Sequence, residues 1–74
     1  MKVTLKLFAS FRNGRFDIET FDYPPGTSVA DVVESLGLPR KELGIMMINN
    51  RHVKLGHLLC DGDTVAIFPL LGGG

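Results

Sequence analysis

Seventy-four residues make one small domain, and a chain of this length buries only about 60% of its unfolded surface, so its core is thin. Hydrophobic residues at 45% and charged residues at 22% are a globular rather than a disordered composition. Eight basic and eight acidic residues cancel, which argues against a nucleic-acid partner, since phosphates need a positive field; one Cys excludes an internal disulfide and a four-Cys zinc or iron–sulfur site.

Along the chain, Met1 to Ala9 reads as a strand, with Val3, Leu5 and Leu7 alternating with Lys2, Thr4 and Lys6. The same alternation leaves no continuous apolar stretch of the kind a secretory signal needs. Asn13-Gly14 is a tight-turn signal, and Arg15 to Tyr23 supplies a second strand that closes a hairpin. Phe16 and Ile18 share one parity and Phe21 and Tyr23 the other, so a bulge near Glu19-Thr20 is expected.

Pro24-Pro25-Gly26 ends that strand, and Thr27 or Ser28 caps a helix. Asp31 in its first turn suits the positive end of the helix dipole. Val29, Val32, Val33 and Leu36 form one apolar stripe. Gly37 and Pro39 stop the helix.

Arg40 to Leu43 forms a short helical turn, Ile45-Met46-Met47-Ile48 a strand, and Arg51 to Leu55 a brief edge strand. Asp61-Gly62-Asp63 is a solvated turn before the last strand, Thr64 to Leu70. No apolar run approaches the ~20 residues that span a bilayer. A single helix cannot cover both faces of a four- or five-stranded sheet, so one face stays open to solvent or a partner. If the helix covers the side carrying Val3 and Val65, then Phe8, Met47 and Phe68 lie on the open face.

Side-chain chemistry is sparse. His52, His57 and Cys60 are the only cluster of soft or imidazole ligands, and their spacing matches no metal motif. The histidines read as loop or edge-strand residues and Cys60 as a small core-filling group. No metal and no catalytic side chains are expected. What remains is the end of the chain, where Phe68-Pro69-Leu70-Leu71 runs straight into Gly72-Gly73-Gly74. Three glycines add nothing to stability. A mobile tail without β-carbons passes through a narrow channel, and from Leu70 to Gly74 it reaches about 17 Å at roughly 3.4 Å per residue.

Three blocks carry a resemblance to a known family: Val3 to Arg12, Pro25 to Val33, and Asp61 to Pro69 with the terminal glycines. Over essentially its whole length the chain resembles the ThiS/MoaD sulfur carriers. The resemblance implies an α+β, β-grasp domain over residues 1–71, with a mixed four- to five-stranded sheet, one main helix on one face, and a flexible glycine tail at 72–74. It also implies a mechanism. An E1-like enzyme adenylates the Gly74 carboxylate, a sulfur donor displaces AMP, and the resulting thiocarboxylate donates sulfur in cofactor synthesis.

No bound cofactor is expected; Gly72 and Gly73 are expected to thread the channel, and Phe8, Met47, Phe68, Leu70 and Leu71 to dock on the partner. Leu7-Phe8-Ala9 and Ile67-Phe68-Pro69 look like the small subunit of molybdopterin synthase, whereas the triple glycine looks like the thiamine-pathway carriers. The expected partners are therefore the activating enzyme and either a molybdopterin synthase large subunit or a thiazole synthase, in the cytoplasm. Two alternatives use the same chain differently: a protein modifier joined to lysine through Gly74, and a non-covalent interaction module.

Overall fold

The computed structural model describes residues 1–70. Five strands and one helix follow in the order β1 (Lys2–Leu7), β2 (Ile18–Asp22), α1 (Val29–Ser35), β3 (Leu43–Ile48), β4 (Arg51–His52) and β5 (Thr64–Pro69). Short 3₁₀ turns at Ala9–Arg12 and Arg40–Glu42 precede β2 and β3. The strands form one mixed sheet in the order β2-β1-β5-β3-β4. The central pair β1 and β5 is parallel, with Leu5 beside Val65 and Leu7 beside Ile67, and every other pair is antiparallel. This is a β-grasp fold. No helix among the described residues is long and apolar enough to cross a membrane.

Strand alternation builds the core. Val3, Leu5 and Leu7 of β1 and Val65 and Ile67 of β5 are fully buried, in one cluster with Val29, Val32 and Val33 of α1. Each such side chain contributes roughly 1.5–3 kcal/mol relative to exposure.

The helix is short, and its ends hold it. Ser28 Oγ accepts from the Asp31 N–H at 3.2 Å while Asp31 Oδ2 accepts from the Ser28 N–H at 2.9 Å, a reciprocal capping box. At the other end Gly37 takes φ +69°. The Gly37 N–H then reaches the Glu34 carbonyl at 3.0 Å and the Leu38 N–H the Val33 carbonyl at 3.2 Å, the two bonds of a Schellman cap. Leu38, directly after it, is buried in the core.

Several sequence expectations are corrected. The β1–β2 connection is not a tight hairpin. Asn13-Gly14 does turn, with the Arg15 N–H bonded to the Arg12 carbonyl at 3.0 Å, but Asn13 at φ −61°, ψ 120° and Gly14 at φ +70° make it type II. That twist does not suit a two-residue hairpin. The loop is instead organised by Phe11, which is buried, and by Arg12 Nε, which donates to the Leu7 carbonyl at 2.8 Å.

β2 begins at Ile18 rather than Arg15 and carries no bulge: its register runs unbroken from Lys2 opposite Asp22 to Lys6 opposite Ile18. The mismatched parity has a simpler origin. Phe16 lies before the strand and packs on the core from the loop, while Ile18 points to the open face, 57% exposed.

The bulge lies in β3. Leu43 pairs with Pro69 and Met46 with Ile67, so Gly44 and Ile45 together stand opposite Phe68. β4 stops at His52 rather than Leu55 because the following chain serves the helix: the Val29 N–H bonds to the His57 carbonyl and the Ala30 N–H to the Leu55 carbonyl.

Cys60 is exposed, not core-filling. Asp63 is the reverse, 9% exposed rather than solvated. Its Oδ2 accepts from the Cys60 N–H at 2.8 Å and its Oδ1 from Asn49 Nδ2 at 3.2 Å, tying the turn before β5 to the β3–β4 turn.

Candidate functional site

Opposite the buried face, β1 and β5 present Lys6, Ala66 and Phe68, Phe8 follows directly after β1, and β3 adds Met47. Phe8 and Phe68 are half-buried and stack with ring centroids 4.1 Å apart and planes 12° from parallel. Such pairs contribute about 0.5–1.5 kcal/mol beyond their buried area. The Arg12 guanidinium carbon lies 5.4 Å from the centre of the Phe8 ring, so a cation flanks the aromatic platform.

Two shallow hollows meet on this face, and Met47 and Phe68 line both. The first extends past Phe8 and Lys6 to Asn49 and Asn50, which make the β3–β4 turn with φ +50° and +69°. The second is almost wholly apolar and runs along Ile45, Pro69 and Leu70.

The second hollow is where β5 ends. The Leu70 N–H donates to the Glu42 carbonyl at 2.8 Å, which holds the backbone just past the end of β5. Leu70 itself is 63% exposed. Gly44 makes that arrangement possible, since a β-carbon there would lie 2.6 Å from the Pro69 carbonyl oxygen. Phe8, Met47 and Phe68 are thus brought together, with Leu70 at their edge. Leu71, Gly72, Gly73 and Gly74 lie outside the described residues.

Among the described residues the sheet carries one cross-strand side-chain ion pair, between Lys2 of β1 and Asp22 of β2. Lys2 Nζ donates to Asp22 Oδ2 at 2.6 Å. That bond holds the Asp22 carboxyl below its ordinary range and raises the Lys2 ammonium. Both groups are exposed, so the pair contributes little to stability. Among the described residues no group of three or more His, Cys, Asp or Glu side chains could hold a metal ion. His52 and His57 are exposed, the first on β4 and the second in the loop before Leu58.

The sequence reading missed Gly44. A lone glycine beside an apolar run signals a bulge or close backbone approach, and Gly44 stands directly before Ile45-Met46-Met47-Ile48.

The chain matches the model of the Mut7-C ubiquitin family over residues 4–72. Among solved structures it is similar to a putative molybdopterin converting factor, subunit 1, from Pyrococcus furiosus. That match has 32% identity and TM-score 0.75, covering 96% of this chain and 99% of the other. Two more distant structures share the fold. Small archaeal modifier protein 1 from Haloferax volcanii matches at 22% identity and TM-score 0.76 over 95% of this chain and 98% of its own. Subunit 1 of the molybdopterin-converting factor from Helicobacter pylori, in complex with subunit 2, matches at 16% identity and TM-score 0.68 over 100% of both chains. No curated protein sequence matches the chain.

Proposed function

Because the chain belongs to the Mut7-C ubiquitin family and is ThiS/MoaD-like, we propose that it is a sulfur carrier rather than a catalyst, working through the carboxylate of Gly74. An E1-like enzyme uses ATP to form a Gly74 acyl-adenylate and releases pyrophosphate. A sulfur nucleophile at the hydrosulfide level then displaces AMP and leaves a thiocarboxylate. The carrier docks on a synthase of the cytoplasm, which takes the sulfur into a pterin cofactor for molybdenum or tungsten; thiazole synthesis is the next reading.

The observation that carries this reading is the uncovered Phe8–Phe68 platform beside the point where β5 releases the chain towards Gly72, Gly73 and Gly74. A partner that grips the platform holds the body still while glycines without β-carbons enter its active site. The likeness to the P. furiosus subunit favours the pterin branch. The H. pylori complex of subunit 1 with subunit 2 offers a pattern for the partner.

A protein modifier uses the same activated carboxyl, and the fold shared with the H. volcanii modifier keeps that reading as the second one. The test is ATP–pyrophosphate exchange by the E1-like enzyme. The full chain should support exchange, and a chain lacking Gly73 and Gly74 should not. Equal exchange with both chains contradicts activation at Gly74, and full function of the shortened chain identifies a non-covalent module instead. Heavier conjugates in the cell identify the modifier.

A further inference from the structure

The open face of β1 carries three polar side chains, Lys2, Thr4 and Lys6, each directly across from a residue of β2. Two of these rungs are closed. Lys2 bonds to Asp22 at 2.6 Å, and the Thr4 and Thr20 hydroxyls share a hydrogen bond of 3.0 Å. The third is open. Lys6 stands across from Ile18 on one side and Ala66 on the other. Among the described residues no carboxylate lies within ion-pair distance of its ammonium.

Lys6 also sits on a central strand, not at the rim. It lines the same hollow as Phe8, Met47 and Phe68 and is the charged residue of that lining, whose polar members are Asn49, Asn50 and Thr64. In the free protein water solvates the ammonium. A partner that covers the aromatic platform removes that water, and a buried charge left without a counter-charge costs heavily. Arg12 does not change this balance, because its guanidinium is already engaged by the Leu7 carbonyl at 2.8 Å and by Asp17 at 3.5 Å.

We infer that the protein surface docking on this face presents a carboxylate, an Asp or Glu set among apolar side chains, which reaches Lys6 and completes the third rung as Asp22 completes the first. The inference rests on the reading of this face as the docking surface. A protein acid fits better than a nucleic-acid phosphate. The hollow offers one cation, the whole chain is formally neutral, and a phosphate backbone is held by several cations together.

The test uses the full chain and, as probe, the molybdopterin synthase large subunit from the same genome, with binding measured at low and at raised salt. Lys6→Glu should weaken binding more than tenfold. Lys6→Met, which keeps the apolar stem, should weaken it less and flatten the salt dependence. Ile18→Glu leaves Lys6 in place but supplies a carboxylate across the rung from within the chain. It should hold or raise the thermal midpoint while weakening the probe's binding.

Exchanging the facing acid of the probe for Lys should restore binding to Lys6→Glu. Wild-type binding by Lys6→Glu and Ile18→Glu, with Phe68→Arg impaired, overturns the carboxylate and leaves the docking face standing. Wild-type binding by all three variants overturns the docking face and this inference with it. A probe that fails to bind the unaltered chain does the same.

Discussion

Gly44 lies flat against Pro69, so close that a β-carbon on residue 44 would sit 2.6 Å from the Pro69 carbonyl oxygen and 2.8 Å from its carbonyl carbon. Both obstructing atoms are backbone, at the last residue of β5, so neither can swing aside. Gly44→Ala must push β3 and the end of β5 apart. The expected cost is about 1–3 kcal/mol, the usual range for overpacking. For a domain of this size each kcal/mol lowers the thermal midpoint by about 4–8 °C. A thermal melt checks this directly, and an unchanged midpoint contradicts the close approach. Because the Leu70 N–H is held by the Glu42 carbonyl just beyond, a folded Gly44→Ala protein should also be activated more slowly.

Phe68 is expected to matter for binding rather than for folding. It is half-buried on the open face and stacked on Phe8, whereas its neighbours Ile67 and Pro69 are buried. Phe68→Arg should weaken binding to the activating enzyme or the synthase by over tenfold, a loss of about 1.4 kcal/mol or more. The thermal midpoint should fall only modestly, by the lost stacking. Calorimetric titration alongside a melt reads both, and undiminished affinity for both partners in a folded variant contradicts the docking face.

Cys60 and Asp63 should respond to substitution in opposite ways. The Cys60 side chain is exposed, so Cys60→Ala should change stability by less than about 0.5 kcal/mol and preserve sulfur transfer. Asp63→Ala strands the Cys60 N–H and Asn49 Nδ2 and should cost roughly 1–3 kcal/mol. Chemical denaturation of the two variants distinguishes them. Loss of transfer in a folded Cys60→Ala protein would relocate the sulfur to the thiol.

The contrast between those two residues shows how far the sequence was legible. Period-two alternation in β1 and β5 identified the buried face, because a strand has only two sides and the valines and leucines occupied one of them. The helix was equally legible, since Ser28, Asp31 and Gly37 mark its ends by local chemistry. Long-range backbone demands were not legible. β4 ends early because the Val29 and Ala30 N–H groups need the His57 and Leu55 carbonyls, and the buried Asp63 carboxylate takes one of its hydrogen bonds from Asn49, fourteen residues away. Phe16 misled the β2 reading because a loop residue can reach the core without belonging to the strand. On the candidate site, alternation located Phe8 and Phe68, but only the fold revealed the bulge at Gly44 and the open rung at Lys6.

The Lys2–Asp22 pair sets a modest pH dependence. The bond lowers the Asp22 carboxyl below its ordinary value of 3.8 and raises the Lys2 ammonium above 10.5. The Asp22 share of stability is present above its unfolded value and is lost as pH falls through its folded value. The Lys2 share is present below its unfolded value and is lost as pH rises through its folded value. The pair therefore acts between those limits. Asp22→Asn should lower the thermal midpoint slightly at neutral pH and low salt. The difference should vanish in acid and at about 1 M salt, where the Debye length shrinks to about 3 Å. A difference that survives both conditions contradicts an electrostatic origin.

The central claim is that the sulfur travels on Gly74. The most direct measurement is the mass of the intact protein and of its C-terminal fragment, both isolated from the cells that make it. The account predicts a chain ending at Gly74 in which one oxygen of the terminal carboxylate is replaced by sulfur, with Cys60 unmodified. A Gly74 joined by an amide bond to lysine contradicts sulfur carriage. So do sulfur carried on Cys60 and a chain that continues past Gly74.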